Sequence, residues 1–127
     1  MEYGKKTIND FQDLEVWRYA QKCAIEIYLL CKKFPVVEEK YGLISQLKRS
    51  SSSISANIAE GFGRRTIADK KNFYVIAYGS LLETRNFIGL ARSLEFISDK
   101  DTDNMLPLLE STQRLLSKFV KSTEQMK

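Results

Sequence analysis

The chain has 127 residues, 43% of them apolar and 28% charged, with 20 Lys+Arg against 16 Asp+Glu for a net charge of +4. That length suits one domain spanning residues 1–127, with enough apolar side chains for one continuous core. The absence of histidine removes the usual general base and the commonest transition-metal ligand, and a mildly basic balance permits an anionic partner without demanding one.

Residues 1–10, MEYGKKTIND, are a polar arm carrying Lys5 and Lys6, without the apolar core of a secretory signal. Nothing along the chain approaches the roughly 18 apolar residues of a membrane span, so a cytoplasmic protein with no membrane partner is expected. Helix one is predicted from about Asp13, as N-cap, to Lys33. Trp17, Ala20, Ala24, Ile27, Cys31 and Phe34 step by three and four along it, and Pro35 stops it. Cys23 and Cys31 lie on this helix about 12 Å apart at 1.5 Å rise per residue, too far to bridge, so both read as core thiols in a reducing compartment.

Helix two is predicted over Tyr41 to Glu60, with Gly61 in a left-handed position after its end. Its Ser50–Ser53 run is weak helix former and needs tertiary support. Helix three opens at Thr66 and Asp69, which have capping-box spacing, and continues to about Leu94 with Phe73, Ala77, Leu81, Thr84, Ile88 and Ala91 inward. Ser98 and Asp101 repeat that spacing before helix four, whose inner line is Met105, Leu109, Thr112, Leu116 and Phe119. Pro107 is expected to kink helix four near its start or delay its onset. No strand is expected. Four amphipathic helices joined by short connections predict an all-α, antiparallel up-down-up-down four-helix bundle.

Helix two carries three lines of residues. Leu43, Leu47, Ser51, Ile54 and Ile58 form an apolar stripe. Gln46, Arg49, Ser53, Asn57 and Glu60 form a polar stripe about 100° round the helix. With Glu83 they are expected to make a polar network in a partly buried seam, or a binding surface. Arg49 is expected to reach Glu83 or Glu60, and its removal to cost roughly 2–4 kcal/mol. Ser52, Ala56 and Ala59 form a third, small-residue line suited to close helix packing or subunit contact.

No catalytic residue and no metal site are predicted. Glu60 and Glu83 could in principle act as acid and base, but a carboxylate pair on unaligned helices is more often structural. Gly61-Phe62-Gly63 follows a helix rather than a strand and lacks the third glycine of a dinucleotide fingerprint, so no nucleotide or other cofactor is expected. The densest positive cluster is Arg64, Arg65, Lys70 and Lys71 near the start of helix three, where residues 61–72 carry a net +3. Such a cluster beside a helix N-terminus suits phosphate, and RNA or DNA is the expected anion. The competing assignment is a solvated loop, with Phe62, Phe73 and Tyr74 as packing residues rather than base-stacking platforms.

From Phe11 to Lys121 the chain resembles the four-helix-bundle proteins encoded within intervening sequences of bacterial 23S ribosomal RNA genes. The residues that carry the resemblance are Phe11, Asp13, Leu14, Val16 and Trp17, then Tyr41-Gly42-Leu43, Gln46, Arg49 and Ser53. Asn57-Ile58-Ala59-Glu60-Gly61-Phe62-Gly63-Arg64 and Gly79-Ser80-Leu81 with Glu83 complete the pattern. The resemblance implies a ring-shaped homopentamer with no catalytic residues. It also implies an association with RNA. The similar accessory protein of diversity-generating retroelements, a basic pentamer, points to a scaffold for a partner enzyme such as a reverse transcriptase as the alternative. Three positions depart from the pattern: Arg85, where an acidic residue is common; Glu95, where a glycine often closes helix three; and Pro107.

Overall fold

Apolar residues at three- and four-residue steps in four separate stretches favour four helices, and packing them together hides all four apolar faces from water. The computed structural model describes residues 2–3, 6–39 and 42–126. It contains α1 (Glu15–Cys31), α2 (Leu43–Phe62), α3 (Ile67–Ser93) and α4 (Asp99–Glu124). Each helix packs on its sequence neighbours, and α4 closes back on α1.

Two core clusters set the helix directions. One joins Cys23, Ile27 and Cys31 late in α1 to Leu43 and Leu47 early in α2, Ile88 and Ala91 late in α3, and Met105 and Leu109 early in α4. The other joins Val16 and Ala20 to Ile54 and Ile58, to Tyr74, Ala77 and Leu81, and to Leu116 and Phe119. Late ends meet early ends throughout, so the molecule is an antiparallel up-down-up-down four-helix bundle. Along the expected α1 seam, Ala20, Ala24, Ile27, Cys31 and Phe34 are buried. Trp17 is half-buried, its ring edge-to-face with Phe11 at 5.1 Å.

The seam between α2 and α3 explains the serine run. Ser50 and Ser51 are fully buried. Thr84 Oγ1 lies 2.9 Å from Ser50 Oγ and 2.8 Å from the Ser80 carbonyl, and Ser53 Oγ lies 2.9 Å from Ser80 Oγ. Small hydroxyls let the helices approach closely while satisfying one another, which offsets their poor helix propensity.

The ends differ from expectation in three places. Asp13 is not the cap of α1: its carboxylate accepts from the Asn9 and Asp10 N–H groups and closes a 3₁₀ turn over Phe11–Asp13, so α1 begins only at Glu15. The predicted start of helix two at Tyr41 lies outside the described residues. Gly61 is a buried member of α2, not a left-handed terminator; the cap is Gly63, with φ −77°. Pro107 does not delay α4, which starts at Asp99 under a complete Ser98–Asp101 capping box. The Asp103 carbonyl that Pro107 leaves without an N–H belongs to an exposed residue, where water can serve it.

The polar arm is not entirely irregular either. Two dipeptide strands, β1 (Glu2–Tyr3) and β2 (Lys6–Thr7), pair antiparallel with Glu2 opposite Thr7 and Tyr3 opposite Lys6. Strands of two residues are too short to show an alternating pattern, so periodicity could not reveal them.

Candidate nucleic-acid interface

The expected basic cluster surrounds the turn between α2 and α3, and the fold distributes its four cations unequally. Thr66 caps α3, its hydroxyl accepting from the Asp69 N–H at 3.1 Å. One turn further on, Lys70 points inward and is only 4% exposed. Its Nζ donates to the carbonyl of Phe62, the last residue of α2, at 2.6 Å and lies 5.3 Å from the Phe62 ring. A cation at a helix C-terminus complements the dipole. Burial pushes the Lys70 pKa down from its ordinary value. Lys70 therefore ties α3 to the end of α2 and does not present its charge to a phosphate.

Arg64 is exposed. It pairs with Glu60 at 3.1 Å and lies over the Phe73 ring at 4.6 Å. Lys71 pairs with Glu124 near the end of α4 at 2.9 Å. Arg65 is exposed, with no carboxylate in ion-pairing range among the described residues. The two ion pairs are about half-exposed, a setting in which such pairs contribute roughly 0–1 kcal/mol. Tyr74 is fully buried in edge-to-face contact with Phe119 at 4.7 Å. It packs the core and offers no platform for a base.

The polar stripe of α2 divides into three local groups. Arg49 pairs with Glu83 at 2.6 Å and donates to Gln46 at 3.0 Å, with side-chain exposures of 54% for Arg49 and 37% for Glu83. Asn57 donates to the Ser53 carbonyl and hydroxyl at 2.8 and 2.9 Å, next to Ser80. Glu60 belongs to Arg64. Glu60 lies eleven residues beyond Arg49, about 16 Å along the helix. The two carboxylates are thus held by different arginines at different levels and do not face each other as an acid–base pair.

The small-residue line is placed on the outside. Ser52 and Ala56 are exposed and Ala59 is half-buried. The Ser52 hydroxyl turns back to the Lys48 and Arg49 carbonyls. On α3, Val75, Ile76 and Leu82 are exposed, and a side chain added at Gly79 would meet nothing within 4 Å.

A second basic site went unnoticed in the sequence. Arg85 on α3 and Arg114, Lys118 and Lys121 on α4 line one groove between the two helices, with Glu110 and Gln113. The signal was present: positions 114, 118 and 121 share a helix face. Charge density along the chain does not show this row, because it is spread over eight residues of α4 while the RR…KK cluster is compact. The departure at Arg85 falls in this groove.

Both thiols are buried. Desolvation raises the pKa of Cys23 and pushes that of Cys31 up to about 11, as expected of inert core cysteines. No helix among the described residues is long and apolar enough to cross a membrane.

Residues 12–118 match the family described as 23S rRNA-intervening sequence protein. Among solved structures, the chain is similar to a protein of unknown function from the S23 ribosomal protein family of Bacteroides thetaiotaomicron. Identity is 25%, the alignment covers 84% of this chain and 98% of that one, and the TM-score is 0.76. No curated protein matches.

Proposed function

The chain belongs to the 23S rRNA-intervening sequence protein family, and on that premise we propose that it is a non-enzymatic, homo-oligomeric cytoplasmic bundle that associates with RNA by phosphate contacts. The observation that carries this reading is the uneven distribution of positive charge. Arg85, Arg114, Lys118 and Lys121 surround one groove against the single carboxylate of Glu110, a local excess of three on a chain whose net charge is +4. None of the four has a carboxylate in ion-pairing range among the described residues. Uncompensated cations gathered on one face attract a polyanion through counterion release.

Assembly strengthens the case. A closed ring, five protomers by the family resemblance, repeats each basic face. Avidity can then raise affinity by roughly 10²–10⁴ over a single protomer. A mobility-shift assay with RNA and DNA of mixed sequence tests the reading. Sequence-tolerant binding in the micromolar range, weakening steeply with salt, is expected. No shift at about 50 mM salt, where electrostatic binding is strongest, removes it.

The second reading is a protein-interaction scaffold, for a partner such as a reverse transcriptase. It is favoured by Val36 and Val37, both 84% exposed in the 3₁₀ turn after α1, and by the nearby Ile25, Tyr28 and Leu29 on the outer side of α1. That reading takes over if nucleic acid does not bind.

A further inference from the structure

We propose that the groove between α3 and α4, rather than the α2–α3 turn, holds the sugar-phosphate backbone of a single nucleic-acid strand. The inference rests on the nucleic-acid reading above and specifies its site and its strand class. Arg114, Lys118 and Lys121 form one row on α4, separated along the axis by about 6 and 4.5 Å at 1.5 Å per residue. Such a row can follow successive phosphates of an extended strand.

Arg85 stands on the opposite wall, and its direction is set. Its Nη1 donates to Gln113 Oε1, and Gln113 Nε2 donates to Tyr78 Oη at 2.9 Å. This chain of hydrogen bonds across α3 and α4 leaves Arg85 four remaining N–H donors in a fixed fork, suited to phosphate oxygens. Gln113 is therefore a positioning residue. The groove encloses about 460 Å³, room for a stretch of backbone but not for a duplex. Its lining residues are all charged or polar, so its apolar area is their own aliphatic stems, with no side-chain pocket for the hydrophobic anchors a peptide needs. By contrast, the turn offers only Arg65 without a carboxylate or a burial constraint.

The experiment uses the full chain and a fluorescein-labelled uridine oligomer, with affinity followed by anisotropy across a salt series. Each phosphate contact to a single strand contributes about 0.7 to the slope of log K against log salt, so for an oligomer short enough to occupy one groove four contacts give about 2.8, a loss of roughly fiftyfold between 50 and 200 mM. The triple variant Arg114→Gln, Lys118→Gln, Lys121→Gln should drop the slope to about 0.7. A charge-matched control, Lys22→Gln, Lys32→Gln, Lys100→Gln, alters exposed lysines elsewhere and should keep the full slope. Gln113→Ala should weaken binding about three- to tenfold while the slope stays near its full value, because no charge is lost but Arg85 is freed.

Circular dichroism checks that each variant remains helical. If the wild type binds and the triple variant binds equally well with an unchanged slope, the groove assignment is overturned and the nucleic-acid reading survives. If the wild type itself does not bind, both fall. Tighter binding of duplex RNA overturns the single-strand assignment, and displacement of the oligomer by poly-glutamate at equal charge overturns the nucleic-acid class for this groove.

Discussion

Glu95 holds the left-handed backbone position that follows α3, with φ 61°. The Phe96 N–H donates to the Ala91 carbonyl and the Glu95 N–H to the Arg92 carbonyl, both at 2.9 Å, the paired bonds of a Schellman ending. That ending favours glycine, and a side chain there costs about 1–2 kcal/mol. Glu95→Gly should therefore stabilise the protein by about 0.5–1 kcal/mol, raising Tm by about 2–4 °C. An unchanged or lower Tm would show that Glu95 makes compensating contacts. Asp101 predicts a pH effect. The hydrogen bond from Lys33 at 2.6 Å, then the Ser98 N–H, hold its carboxyl below the usual range. A depressed carboxylate pKa adds stability above its unfolded value, near 3.9. That contribution disappears as pH falls through the lower folded value. Wild-type stability should thus decline below about pH 4, and Asp101→Asn should reduce that decline in acid denaturation curves. Lys70 reverses an expectation of the sequence. Lys70→Glu would bury an anion against the carbonyl end of α2, costing about 2–4 kcal/mol, so it tests folding rather than binding.

Two glycines with the same sequence appearance have opposite roles in helix packing. A Cβ at Gly61 would come within 2.7 Å of Tyr74 Cε1 and 2.8 Å of Phe73 Cβ, whereas a Cβ at Gly79 would meet nothing within 4 Å. Gly61→Ala should destabilise by about 1–3 kcal/mol through overpacking, although alanine is the better helix former. Gly79→Ala should stabilise the protomer by about 0.5–1 kcal/mol. Chemical denaturation of both variants gives the comparison, and equal signs would refute the close-approach account of Gly61. Helices and core faces were legible in the sequence because burial imposes a 3.6-residue period. Ala20, Ile27, Leu47, Ile54, Ala77, Leu81, Leu109 and Leu116 all follow it into the core. Three features were not legible. Gly61 depends on a neighbour twelve residues away, and the Asp13 cap depends on its own carboxylate folding back. Lys70 is polar on paper, yet its head reaches the carbonyl end of α2. Exposure likewise revises Arg49: with its pair to Glu83 open to water, Arg49→Ala should cost about 0.2–1 kcal/mol rather than the 2–4 expected of a buried charge.

At the scale of the molecule, the outer face of the α2–α3 hairpin is the feature a lone bundle does not account for. Ser52 and Ala56 are exposed on α2, Gly79 leaves α3 bare, and on α3 Val75, Ile76 and Leu82 stand exposed at 54, 52 and 44%. A glycine inside a helix costs about 1 kcal/mol relative to alanine, and no contact within the protomer requires the one at position 79. Close approach by another helix would require it, and the flanking apolar side chains would gain about 25 cal/mol for each Å² they bury. Repetition of that contact by rotation closes a ring. We predict a cyclic homo-oligomer of five protomers, each of 14.7 kDa. Multi-angle light scattering at micromolar concentration should return about five times the protomer mass, and Leu82→Glu should lower it while far-ultraviolet circular dichroism stays helical. A wild-type mass equal to one protomer would sink the ring and remove the avidity on which micromolar RNA binding depends. A pentamer unaffected by Leu82→Glu would keep the ring but move its interface to another face of the bundle.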